Sequence, residues 1–235
     1  MNGMKNIKGF TLIEILSALF VGLILLGAVY ISMVSGQKSS VAIERKTVAH
    51  QDARAVLEIM TTEVAMASFN PNFASNFWRN PGDCVNISAN QAYKGIQVAT
   101  ANSITVEMDI LESSVVGDSP NEVIGYVYDI ANERVTREAN CGGAAPFLGD
   151  VPGNARSVRV INNTLGIPMF RYFDGLGNEI FPTGSPASIP PASMPNIRRI
   201  EITLAVETEE VTPDTGTRRR MIYSTSVIPR NHAIN

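Results

Sequence analysis

Glu14 is the only side chain charged at neutral pH between Gly9 and Gln37, and the twenty residues from Ile15 to Val34 carry no charge at all. A carboxylate at the edge of such a run is costly in lipid unless it is paired or reaches the interface, so its natural chemistry is that of an ion pair seeking a cation. Just before it, Gly9-Phe10 is a peptide bond whose glycine lets the backbone approach another surface closely. Other reactive groups are few. The thiols are Cys84 and Cys141, and the imidazoles are His50, on an amphipathic stretch, and His232, near the end of the sequence. A lone His50 reads as a surface residue. Asp174, Asn178 and Glu179 in D-G-L-G-N-E could offer oxygen to calcium, but the spacing is not that of an EF-hand loop and reads as a tight hairpin turn. Arg218, Arg219 and Arg220 read as a solvated strand start, since alternation sends Arg219 to the face opposite its neighbours. Zinc-binding, nucleophile-elbow, phosphate-loop and dinucleotide patterns are absent, so no catalytic residue, metal site or cofactor is expected.

The elements that hold these residues follow from hydrophobic pattern. At 1.5 Å per residue, the uncharged run makes a helix of about 30 Å, the thickness of a bilayer's hydrocarbon core. It is too long for a core helix of a small domain. A secretory signal would have a shorter apolar region, about 7 to 15 residues, and a small-residue cleavage site, which nothing after Val34 supplies. Ala53, Val56, Leu57, Met60, Val64 and Ala67 continue as an amphipathic stripe. No proline occurs before Pro71, so one helix of some 55 to 60 residues is expected, ended by Asn70-Pro71.

Beyond it the pattern is that of strands and turns. Hairpins are predicted from Gly95 to Ile110 about a turn at 100–102, and from Val123 to Glu138 about 130–133. Further strands are expected at Ser157–Ile161 and Pro168–Phe173. Five prolines between Pro182 and Pro195 mark an irregular loop. Two alternating segments follow, Ile197–Glu207 and Arg218–Ile228, with Ile200, Ile202, Leu204 and Val206 on one face of the first and Met221, Tyr223, Thr225 and Val227 on one face of the second. The fold class is α+β, a long helix packed on an antiparallel sheet, without internal repeats.

The segment M-N-G-M-K-N-I-K-G-F-T-L-I-E, with the uncharged run after it, resembles the class III signal and N-terminal helix of the type IV pilin family, pseudopilins included. That resemblance implies that a prepilin peptidase cuts between Gly9 and Phe10, that the new amine of Phe10 is methylated, and that Glu14 pairs with the amine of a neighbouring subunit during assembly. It divides the chain into a leader (1–9), a transmembrane and filament-core helix (10–37), an amphipathic helix (38–70) and an extracytoplasmic β-rich head (71–235). Loss of the leader removes Lys5 and Lys8, moving the net charge from −3 to −5. The positive-inside count, Lys5 and Lys8 against Lys38, is only two to one, so orientation rests mainly on the resemblance.

With the head outside the cytoplasm, a Cys84–Cys141 bridge is permitted and expected, free thiols being the alternative. Two cysteines without a clustered histidine or further thiol do not read as a metal site. The segments S-V-R-V-I-N-N-T-L-G-I-P-M-F-R-Y-F-D-G-L-G-N-E-I, I-R-R-I-E-I-T-L-A-V-E-T-E-E and R-R-M-I-Y-S-T-S-V-I-P-R-N look like the closing strands of PilW-like minor pilins and related J-type minor pseudopilins. They imply a non-enzymatic subunit, first in the inner membrane and then in a surface pilus. It would prime filament assembly with other minor and major pilins on the assembly platform and sit at the tip. A minor pseudopilin of type II secretion is the alternative, then a major pilin. A signal-anchored binding protein or enzyme is the competing class.

Composition alone would have suggested an ordinary soluble protein. At 235 residues, 45% apolar and 17% charged, the chain is neither disordered nor polytopic, and a pI near 5.5 disfavours a nucleic-acid partner held by global charge.

Overall fold

The computed structural model describes residues 9–149, 158–208, 211 and 216–233. Lys5, Lys8, Ser157 and most of the loop between Thr208 and Thr217 lie outside these residues. One helix, α1 (Leu12–Ala65), runs for 54 residues, about 80 Å. Its first half makes no core: the large apolar side chains from Phe10 to Met33 are exposed. Its second half buries Ala49, Ala53, Val56, Leu57, Met60 and Val64 against the head. Each of the larger ones contributes roughly 1.5–3 kcal/mol of burial.

Two antiparallel sheets stand where a single sheet was expected. The first is ordered β1-β2-β3-β4-β5 (Ile96–Ala99, Ser103–Glu107, Val123–Asp129, Arg134–Ala139, Ala145–Leu148). In the second, β10 (Arg220–Val227) pairs β9 (Arg199–Thr208), which pairs β7 (Phe170–Phe173), which pairs β8 (Glu179–Ile180). The short β6 (Val158–Val160) also pairs β9, and the single turn α2 (Asn162–Leu165) follows it. Both hairpins of the first sheet form at the expected positions. The strand β5 gave no signal because it carries Pro146, which an edge strand tolerates.

Ile200, Ile202, Leu204 and Val206 of β9 are fully buried on the face their alternation indicates. Along β10, Met221, Tyr223 and Thr225 are half-buried and Val227 buried, while Arg220, Ile222, Ser224 and Ser226 face solvent. The two sheets and the second half of α1 share one core, joined by Tyr126, Phe170 and Tyr172. A satellite cluster of Phe77, Trp78, Val116 and Val123 sits under the loops.

The helix stops before Asn70-Pro71. Met66 caps it: its N–H donates to the Glu63 carbonyl and the next N–H, of Ala67, to the Val64 carbonyl, each at 3.2 Å. Tertiary contacts then claim the chain: Ser68 turns into the left-handed region (φ 68°) and its N–H donates to the Glu107 carbonyl at 2.8 Å.

Candidate functional site

The residues that the sequence singles out at its start lie within one helical turn and a half. Thr11 is the N-cap of α1. Its hydroxyl accepts from the Glu14 N–H at 3.4 Å, while its own N–H and hydroxyl donate to Glu14 Oε2, each at 2.8 Å. This is a capping box, a contact that the T-x-x-E spacing of Thr11 and Glu14 signals in the sequence. Glu14 is thus held by Thr11 of its own helix start, with no partner from the head among the described residues. Ser17 satisfies its own hydroxyl by donating it to the Ile13 carbonyl at 2.7 Å.

Gly9 and Phe10 have no packing role in the folded chain. A Cβ at Gly9 would meet nothing within 4 Å, and Phe10 is 85% exposed. The fold therefore does not demand glycine at position 9. Whatever requires it lies outside the folded chain.

At the far end of α1 the structure gathers groups that were scattered in sequence. Cys84 and Cys141 are bonded, with Cα atoms 5.8 Å apart, tying the loop after the helix to the end of β4. His232, read only as part of a tail, is fully buried. Its Nε2 lies 2.9 Å from the Met194 carbonyl, which can only accept, so Nε2 carries the proton and Nδ1 accepts from the Ser68 hydroxyl at 2.8 Å. The Gly95 N–H donates to that same hydroxyl oxygen at 3.0 Å. Burial pushes the His232 imidazole down to about 4, assisted by the nearby charges of Lys94 and Arg198 and opposed by its bond to Met194.

Beside Ser68 lies Glu107, also fully buried. Its Oε2 accepts from the Arg79 N–H at 2.8 Å, and Oε1 has no hydrogen-bond partner among the described residues. Burial pushes this carboxyl up to about 8, against the N–H and charge of Arg79. It holds its proton at neutral pH. Gly95 completes the joint: a Cβ there would overlap the Glu107 carbonyl oxygen and the Ser68 backbone. A second link between helix and head is Glu63, which receives two bonds from the Arg137 guanidinium (2.7 and 3.2 Å) and one from the Tyr126 hydroxyl.

The other sequence candidates resolve simply. His50 is not a free surface residue; its Nδ1 lies 2.6 Å from the Tyr223 hydroxyl, because the stripe beside it brings β10 against the helix. Asp174 closes its turn by accepting from the N–H groups of Leu176 and Asn178 at 2.8 Å. Glu179 pairs with Arg171 instead of joining Asp174. Arg218 and Arg220 both reach Glu207, as alternation implies. Among the described residues, no cluster of three or more histidine, cysteine or acidic side chains is placed to hold a metal.

Residues 4–30 match the prokaryotic N-terminal methylation motif. No curated protein and no solved structure matches the chain. The motif, leading into a long apolar helix that ends on an antiparallel β head, supports a type IV pilin-like protein, pilus or pseudopilus related. The apolar first half of α1 fits a membrane-anchored precursor, and the motif implies handling by a prepilin peptidase.

Proposed function

We propose that this protein is a minor pilin of PilW type that primes a type IV pilus and sits at its tip. The precursor spans the inner membrane once, with the β head on the extracytoplasmic side. Prepilin peptidase cuts between Gly9 and Phe10, and the amine of Phe10 is methylated. The protein then joins other minor and major pilins on the assembly platform and does no catalysis of its own. The observation that carries this reading is the methylation motif at the start of a helix whose apolar half has no packing partner among the described residues. Such a surface needs lipid first and other helices afterwards.

In this reading Glu14 changes partner. Its capping bonds to Thr11 are replaced or joined by the positive amine of a neighbouring Phe10, which places that neighbour in register. A buried pair of this kind contributes specificity more than stability. Intact mass of the mature protein tests the processing: a methylated Phe10 terminus is expected, and cleavage near Val34 or no cleavage would sink the reading. Glu14→Val should leave cleavage largely intact and strongly reduce incorporation into filaments, scored by immunoblot of sheared pili. Unchanged incorporation would count against the pairing role.

A further inference from the structure

The loops at the C-terminal end of α1 form an exposed, partly apolar surface, and we infer that this surface docks the head of a different filament subunit that presents apolar side chains ringed by lysine or arginine. The inference deepens the assembly role proposed above and rests on it.

Position comes first. The Asp109 N–H donates to the Phe69 carbonyl and the Ser68 N–H to that of Glu107, so the segments 70–92 and 108–122 lie where the helix ends. That is about 80 Å along α1 from its apolar start, the end away from the membrane. These loops are rigidly stitched. Asn72 donates to the Glu112 carbonyl and the Ser114 hydroxyl, both at 2.9 Å. Arg79 donates to the carbonyls of Val85 and Val116, and the disulfide anchors Cys84. Buried Asp109 and Glu122 each accept backbone N–H groups of the second loop, from Ser113 and Ser114 and from Ile110, Leu111, Gly117 and Ser119.

A loop fixed this firmly can display side chains that a flexible loop would tuck away. Phe73 is 72% exposed, Val85 73% and Leu111 61%, with Ile87, Ile110 and Val115 also in solvent. Phe73, Asn76, Cys84, Glu112 and Ser114 hold left-handed backbone conformations that disfavour side chains, and such conformations concentrate where a surface is held for use. Two hollows flank the display. One, of about 290 Å³, lies between Phe73, Trp78 and Gln91, with Lys94 at its edge; the other, of about 460 Å³, is lined by Asp118, Asn121 and Asn140.

Charge selects the partner. Every exposed charged residue of the two segments is acidic: Asp83, Glu112 and Asp118. Asp83 is tied to its own turn through the N–H groups of Val85 and Asn86. Neither the Glu112 nor the Asp118 carboxylate makes a hydrogen bond or ion pair among the described residues. Exposed apolar side chains on the same loops as two unpaired carboxylates are complementary to an apolar patch accompanied by lysine or arginine.

The test places p-benzoylphenylalanine at Leu111 of the full chain, in cells that assemble the filament, with Ile222 on the solvent face of β10 as control. Irradiation should join position 111 to the head of another protein bearing the methylation motif, at a peptide containing lysine or arginine, and leave Ile222 without that adduct. The double variant Glu112→Lys/Asp118→Lys should lower the yield about tenfold, since like charges then face each other. An adduct to a second copy or to lipid, a yield unmoved by charge reversal, or no adduct in cells whose filaments form normally would overturn the docking surface. Filaments that form normally without ever containing the chain would instead tell against its assembly role.

Discussion

Replacing Glu107 by glutamine should expose an acid sensitivity that the wild-type protein conceals. Two titratable groups sit at the joint between helix and head, one on each side of Ser68. His232 falls from its ordinary 6.5 to about 4 on folding, and Glu107 rises from 4.5 to about 8. Stability rises with pH wherever the unfolded chain binds more protons than the folded one. His232 alone gives that sign: its contribution is complete above 6.5 and is lost as pH falls towards 4, about 3 kcal/mol over some 2.5 units. Glu107 gives the opposite sign. Its contribution is complete below 4.5 and is lost as pH rises to 8, about 5 kcal/mol over some 3.5 units.

Between 4.5 and 6.5 the folded joint holds one proton on Glu107 and the unfolded chain holds one on His232, so their slopes cancel. Wild type should therefore show little slope from this pair in that window and lose about 2 kcal/mol from 6.5 to 8. Glu107→Gln removes the alkaline loss and leaves the acid one. Urea unfolding of the detergent-solubilised full chain, followed by fluorescence of the single Trp78, buried beside the joint, measures both proteins at a series of pH values. The difference, variant minus wild type, should rise by about 5 kcal/mol between pH 4.5 and 8, with carboxylates common to both cancelling. A difference that stays flat within about 1 kcal/mol would refute a buried, protonated Glu107.

Three further outcomes follow from the structure. Gly95→Ala should destabilise the head by about 2 kcal/mol or more, since the added methyl meets backbone atoms of Ser68 and Glu107 that cannot move aside; Gly9→Ala, which meets nothing, should leave the same urea midpoint unchanged while blocking processing in cells. Cys84→Ser/Cys141→Ser should cost about 4 kcal/mol, the chain-entropy value for residues 57 apart, and should free the loops to exchange amide hydrogens that the intact protein protects.

Much of the architecture was legible because it is written in local periodicity. A run of twenty uncharged residues gives a helix whatever follows it, and the alternation in 200–206 and 221–227 marks which face of each strand is buried before any partner is known. The motif at Gly9, Phe10 and Glu14 is local too, and Thr11 as its capping partner was readable from the spacing of threonine and glutamate.

The joint was not legible. Ser68 and His232 are separated by 164 positions, and nothing in the neighbourhood of either marks it as buried. The same holds for Glu107, whose sequence position is that of an ordinary strand end. The helix terminus shows the contrast most plainly. Sequence offered Asn70-Pro71 as the first barrier to a helix, but the backbone left α1 at Met66, because Ser68 could donate to a carbonyl on β2. Sequence by itself thus determined the long apolar helix, the strand faces and the methylation motif, all set by side chains a few residues apart. Tertiary structure alone decided which polar groups are buried, how they are protonated and where the loops present their apolar side chains. The physical reason is that the free energy of a buried polar group depends on a partner supplied by a distant part of the chain.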